Sequence, residues 1–277
     1  MRRSATLSIA GGVKLHYLVE GTGRPLVFIH GLWASGLFFD RQLTALGRRH
    51  RAIAVDLRGH GRSTMTLRDQ TVSVYAQDLR MFLDRLAVEQ PVLIGWSMGA
   101  FVIWEYVRQF GPEGIAAAVI VDQAPSDFRS AVEPDALITV EALADWHRRA
   151  LTDHAALMRD VIGMMFAEPP PETDRRWMLE EMMRQPEVIA AAILVDQTFQ
   201  NYCDVIEGFP IPTLVCYGEK TQQPRNRLRW IAEAARRGET HEFRNCGHCL
   251  FLEASEEFND VVAGFVDRTL SAARPGA

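Results

Sequence analysis

Residues Pro91-Val92-Leu93-Ile94-Gly95-Trp96-Ser97-Met98-Gly99-Ala100-Phe101-Val102 decide how the rest of this chain is read. The first four form a short apolar run of strand character, and a helical pattern extends from Met98 to about Phe110. Between them stands Gly-x-Ser-x-Gly, Gly95 to Gly99. In a strand-to-helix context this pattern puts the serine on a sharp, strained turn, with glycines where strand and helix come too close for side chains. The hydroxyl then stands clear of the sheet. It faces a helix N-terminus, where free N–H groups and the helix dipole favour developing negative charge. A serine that only caps a helix between chance glycines gives the same five letters. The presence or absence of chemical partners elsewhere in the chain separates the two readings.

Working outward, short all-apolar runs at Leu26–Ile29, Ala52–Val55, Val92–Ile94 and Ile115–Val121 read as strands buried on both faces. Thr6–Ala10 and Val13–Glu20, divided by Gly11-Gly12, read as a leading hairpin. Helical patterns at Phe38–Arg49 and Val72–Ala87 alternate with these strands. The alternation stops after Val121, and residues 126–209 read as helix almost throughout. It resumes with a strand at Thr213–Tyr217, a helix at Arg225–Arg237, a strand at Glu239–Arg244 and a helix at Ser255–Leu270. The expectation is an α/β fold: a mostly parallel eight-stranded sheet flanked by helices. Its core would be residues 1–125 and 210–277, with 126–209 inserted as a helical cap.

The chain has 277 residues, is 48% hydrophobic and carries a formal charge of −5. Its arginine pairs are scattered, which disfavours nucleic-acid binding. No apolar run approaches the roughly 18 residues of a membrane span. The start, Met1-Arg2-Arg3-Ser4, leads into an alternating strand pattern instead of a signal-type apolar segment, so a cytoplasmic location is expected. Nothing in the sequence bears on oligomeric state. Four cysteines are too few for a disulfide scaffold at this length.

A serine hydroxyl needs a base, a group that orients the base, and donors for an oxyanion. His248 stands between the last strand and the closing helix, where a base belongs. His16 and His241 fall in strands, His147 and His154 on cap helices, and His60 in a Gly-rich loop. The residue after the serine, Met98, supplies one oxyanion N–H. The loop His30-Gly31-Leu32-Trp33 supplies the other, from Leu32 or alternatively its neighbour Trp33; His30 itself reads as a structural brace.

These residues, together with Asp56-Leu57-Arg58-Gly59-His60-Gly61-Arg62-Ser63 and with Glu253 after Gly247-His248, resemble the α/β-hydrolases along nearly the whole core. The likeness is to their esterase, lactonase and non-haem haloperoxidase branch. It implies a serine triad with neither metal nor cofactor, a small-molecule ester or lactone substrate, and a structural turn at Asp56–Ser63. In that family the acid most often lies in a Gly-x-x-Asp turn after the seventh strand. Here the turn reads Gly218-Glu219-Lys220-Thr221, with threonine at the expected acid position. Three readings follow. The acid has moved to Asp122, at the end of Val119-Ile120-Val121; Glu219 substitutes for it; or there is no acid and the fold serves as a ligand receptor. Asp122 is the first choice. Glu253 reads as a structural partner.

Cys246-Gly247-His248-Cys249 also matches a disulfide-exchange motif. Its position near the C-terminus and the residues before it, Arg244-Asn245, speak against redox catalysis. No second Cys/His pair stands at zinc-ligand spacing. The cap holds Met158, Met164, Met165, Met178, Met182 and Met183 with Phe166, Trp177 and Phe199. Most of these pack the cap, while some line an adaptable apolar pocket. Trp33, Trp96, Met165 and Phe166 are the expected substrate contacts. The reaction implied is hydrolysis of a mid-sized apolar ester or lactone through an acyl-enzyme. Perhydrolysis on the same residues needs no further catalytic group.

Overall fold

The structure, a computed structural model, describes residues 2–271. Eight strands form one sheet: β1 (Arg3–Ser8), β2 (Lys14–Glu20), β3 (Pro25–Ile29), β4 (Arg51–Val55), β5 (Val92–Trp96), β6 (Ala117–Val121), β7 (Thr213–Gly218) and β8 (Gly238–Phe243). Their order is β1-β2-β4-β3-β5-β6-β7-β8. Pairing is antiparallel for β1–β2 and β2–β4 and parallel for the rest. The β5 and β6 residues are all buried, which is why their sequences do not alternate. At the sheet's edge β8 exposes half its residues.

The helices are α1 (Asp40–Leu46), α2 (Val72–Arg85), α3 (Met98–Phe110), α4 (Val140–Thr152), α5 (His154–Met164), α6 (Glu172–Met182), α7 (Glu187–Thr198), α8 (Cys203–Ile206), α9 (Arg225–Ala234), α10 (Leu250–Glu253) and α11 (Ser255–Ser271). Several boundaries differ from the sequence reading. β6 begins at Ala117 and not Ile115, α9 ends at Ala234 and not Arg237, and the helices of the 126–209 segment begin only at Val140. Two further shifts have a visible local cause. The helix expected from Phe38 begins as a 3-10 turn at Gly36–Phe39, where the Ser35 hydroxyl accepts the N–H of Leu37. Ala10–Gly12 closes the first hairpin as a 3-10 turn, so β1 ends at Ser8.

Helices α4–α8 lie between β6 and β7, and the stems of this segment meet where Ser126 bridges Asn201. Polar contacts bind it to the rest of the fold. Trp33 Nε1 donates to the Ala190 carbonyl at 3.0 Å, and Gln185 Nε2 to the Gly59 carbonyl at 2.8 Å. The Arg62 guanidinium forks onto Glu181, with both N···O distances 3.0 Å, and the Ser35 hydroxyl donates to the same carboxylate at 2.8 Å. Under the site, Phe38, Phe39, Trp96 and Phe251 pack ring on ring, and Trp177 of α6 adds an edge contact to Phe38 at 5.0 Å. Truncating one such buried aromatic to alanine costs about 3–5 kcal/mol.

The Asp56–Ser63 turn is structural. Asp56 is buried, which by itself favours its protonated form. The His16 ring, the charge influence of His30 and the N–H of Arg62 more than offset this and hold its pKa below the usual carboxylate value. Gly36 N–H donates to its other oxygen at 2.7 Å. His30 Nε2 accepts the Leu57 N–H at 3.0 Å, so the Nδ1 proton goes to the Gly31 carbonyl at 2.8 Å. Both nitrogens are engaged, as befits a brace.

Candidate active site

The carboxyl ends of β3, β5, β6 and β7 and the loop after β8 open onto one cavity of about 230 Å³. Ser97 stands at φ 53°, ψ −123° on the turn from β5 into α3. Such backbone costs on the order of 1–3 kcal/mol and persists only where its surroundings impose it. The ladder imposes it here: Ser97 N–H donates to the Val121 carbonyl at 3.0 Å, and the Ser97 carbonyl accepts Ala100 N–H at 2.8 Å. A Cβ on Gly95 would lie 2.4 Å from the Gly99 carbonyl oxygen, the close approach expected from sequence. Gly99 has a different reason, since its Cβ would meet the Ile29 carbonyl oxygen at 2.1 Å, across on β3. The Ser97 side chain makes no cap hydrogen bond. Its hydroxyl is therefore not consumed in capping α3.

Asp122 follows β6, buried, at φ 51°. Its N–H donates to the Cys216 carbonyl at 2.8 Å, so β6 and β7 hold it as β5 and β6 hold Ser97. His248 Nδ1 donates to Asp122 Oδ2 at 2.7 Å. The Thr221 hydroxyl donates to the same oxygen at 2.7 Å, and Gly218 N–H approaches Oδ1 at 3.4 Å. The threonine in the expected acid position thus reaches the carboxylate that His248 uses.

The His248 loop is anchored on several sides. Glu253 accepts Gly247 N–H at 2.7 Å and Ala167 N–H at 2.8 Å. Partial burial raises the Glu253 pKa, and those two N–H groups and His248 oppose the rise. Cys249 N–H donates to the Met165 carbonyl at 2.8 Å, and Trp96 Nε1 to the His248 carbonyl at 3.1 Å. Met98 opens α3, so its N–H has no intrahelical acceptor. Leu32 and Trp33 both line the cavity, Trp33 in the left-handed region at φ 62°.

Glu219 does not line the cavity. Its carboxylate accepts Asn245 N–H at 2.9 Å and faces Lys220 at 3.8 Å. Cys246 and Cys249 are free thiols; burial pushes Cys246 up to about 11 and Cys249 well above the ordinary thiol value. Neither is a thiolate at neutral pH. Among the described residues, no cluster of three or more His, Cys, Asp or Glu side chains is arranged to hold a metal ion.

Trp33, Trp96 and Met165 line the cavity and Phe166 does not. The Phe166 backbone packs instead on Gly247, where a Cβ would lie 2.8 Å from its carbonyl carbon. Met164 also lines the cavity, Met158, Met178 and Met182 are buried in packing, and Met183 and Phe199 face outward. Sequence reasoning did not find Leu137, Ile138, Trp146 and Val161 on the apolar wall, nor Gln123, Asp127, Gln197 and Gln223 on a polar one. Gln123 directly follows Asp122, at a strand end whose sequence signals only the aspartate.

The sequence profile of the alpha/beta hydrolase family matches residues 26–261, and the chain belongs to that family. Among individual relatives, it is 24% identical to the AB hydrolase superfamily protein YisY of Bacillus subtilis over 250 residues, 88% of this chain and 92% of that one. It is 28% identical to the non-heme chloroperoxidase CPO-A1 of Kitasatospora aureofaciens over 222 residues, 76% of this chain and 79% of that one. The fold superposes on an esterase (EaEST) from Exiguobacterium antarcticum with a TM-score of 0.91 at 21% identity, covering 96% of this chain and 100% of that one. Among the described residues, no helix is long and apolar enough to cross a membrane.

Proposed function

We propose that the protein is a serine hydrolase that cleaves a carboxylic ester or lactone through an acyl-enzyme. The observation that carries this reading is the 2.7 Å hydrogen bond from His248 to buried Asp122, beside a cavity that Ser97 also lines. With Nδ1 donating to the carboxylate, Nε2 is the ring's basic nitrogen. His248 takes the Ser97 proton as the hydroxyl attacks the carbonyl, and the oxyanion rests on the N–H groups of Met98 and Leu32, with Trp33 the alternative donor. The imidazolium, steadied by Asp122, protonates the leaving alcohol. Water then gives a proton to His248, attacks the acyl carbon and frees the acid. A lid of aliphatic, Met and Trp side chains over a cavity of about 230 Å³ suits a modest, largely apolar substrate.

A fluorophosphonate should label wild type and leave Ser97→Ala unlabelled, and p-nitrophenyl esters should be turned over by the first alone. An unlabelled wild type would favour the ligand-receptor reading. A second reading is perhydrolysis, which the chloroperoxidase relative favours. Hydrogen peroxide replaces water at the acyl-enzyme, releasing a peracid and free Ser97. Peroxide-dependent peracid formation in acetate or propionate buffer, lost in Ser97→Ala, tests it.

A further inference from the structure

One wall of the cavity is polar in a way the hydrolytic mechanism leaves unused. Asp127 lies five residues past Asp122, is 4% exposed and lines the cavity. Gln123 Nε2 donates to its Oδ1 at 2.8 Å, and Gln197 Nε2, from α7, to its Oδ2 at 2.7 Å. The second N–H of Gln123 is occupied by the Ala124 carbonyl at 2.9 Å. The amide oxygens of Gln123 and Gln197 are buried without a hydrogen-bond partner, and both residues line the cavity. A carboxylate has about four lone-pair sites, of which these two amides fill two, with the Gln223 side chain a further partner. The wall therefore presents spare acceptors on three side chains, against one further N–H, the second on Gln197 Nε2, which gives only one of its two to Asp127. Among the described residues no Lys, Arg or His makes a direct salt bridge with Asp127, and the one charge acting on it from nearby is that of His248.

An unpaired buried acceptor costs on the order of 1–3 kcal/mol, so a wall of them is stable only where something donates to it. Resting on the reading of this cavity as the substrate site, we propose that Asp127, Gln123 and Gln197 form a subsite for a hydrogen-bond donor on the substrate. The donor is an ammonium or a hydroxyl carried at the end of an apolar chain. Leu137, Ile138 and Val161, which also line the cavity, receive the chain. The substrate class becomes amphiphilic: an ester or lactone with a donor-bearing tip. Burial raises the Asp127 pKa against the lowering effect of the Gln123, Gln197 and Gln223 amides and the charge of His248, and a cationic or hydroxylic tip would add a further donor.

The test uses n-alkylamines, n-alkanols and alkyl methyl ethers matched in heavy-atom count over butyl, pentyl and hexyl chains. Thermal shift titrations with the Ser97→Ala protein read binding without turnover. The expected result is tighter binding of the amine, the alcohol or both than of the matched ether, by about tenfold or more. That ratio should collapse towards one when Asp127→Asn or Gln197→Met, both near-constant in volume, is added. Preference for the amine alone identifies an ammonium, and equal preference a hydroxyl-type donor. An ether bound as tightly as the alcohol and the amine overturns the subsite, as does a preference that survives both substitutions. Fluorophosphonate labelling of otherwise unaltered chain reports the hydrolase reading separately. Labelling without donor preference removes the subsite alone. Donor preference without labelling leaves a donor-binding pocket in a protein that is not a hydrolase.

Discussion

Asp122→Asn is the substitution on which the proposed mechanism turns, because two hydrogen bonds decide how the new amide sits. If the amide oxygen occupies the Oδ2 position, it accepts from His248 and Thr221 as before, but its NH2 then faces Gly218 N–H, donor against donor. If the amide is turned to relieve that clash, NH2 occupies the Oδ2 position and His248 must present Nδ1 as an acceptor. The ring proton then sits on Nε2, and the base for Ser97 is lost. Either arrangement also removes the charge that steadies the imidazolium. The corresponding change in serine proteases lowers turnover by about four orders of magnitude, or about 5 kcal/mol of transition-state stabilisation. The same loss in kcat is expected here, with KM little altered, in p-nitrophenyl ester hydrolysis by purified protein. Glu219→Gln should stay within about threefold of wild type, since its carboxylate serves Asn245 N–H and not the cavity. An active Asp122→Asn beside an inactive Glu219→Gln would refute the assignment.

Thr221→Val removes one hydrogen bond to a charged oxygen and should lower kcat by about ten- to a hundredfold, well short of Asp122→Asn, in the same assay. Glu253→Ala strips acceptors from Gly247 and Ala167 N–H, which should cost about 2–4 kcal/mol in denaturant unfolding and lower kcat by loosening the His248 loop. Burial lowers the His60 pKa to about 3, so the unfolded chain takes up a proton there before the folded one does. Stability from this residue is full above about pH 6.5 and falls as pH drops, by about 2 kcal/mol between pH 7 and pH 5. Urea unfolding across that range should show the slope, and His60→Gln should reduce it by about one proton.

Much of the frame was legible because each local signal had a local cause. Doubly buried strands wrote themselves as Leu26–Ile29 and, within Ile115–Val121, as Ala117–Val121, and Gly95 as a close approach within one turn. Asp122 was legible as a residue at a strand end. Its tie to Thr221 was not, because that contact spans β6 and β7 and joins residues separated by the whole helical segment. Gly99 gave the right residue for an incomplete reason, since the atom that excludes its side chain belongs to β3. In the helical segment, buried Met158 and cavity-lining Met164 look alike in sequence. Apolar periodicity marks a face as covered and does not say whether protein or a cavity covers it. Asp127 was invisible for a related reason: its burial depends on Gln197, brought in from α7.

The shared oxygen of Asp122 bears on how such a site changes over generations. His248 and Thr221 both end on Oδ2, so an acidic residue in either strand's loop is aimed at nearly one point in space. A descendant or ancestor with carboxylates in both loops would hold them close enough that one keeps its proton near neutrality, which leaves a single anion for the histidine. On the proposed mechanism either loop could supply that one anion, so the acid's address along the chain does not by itself set the chemistry.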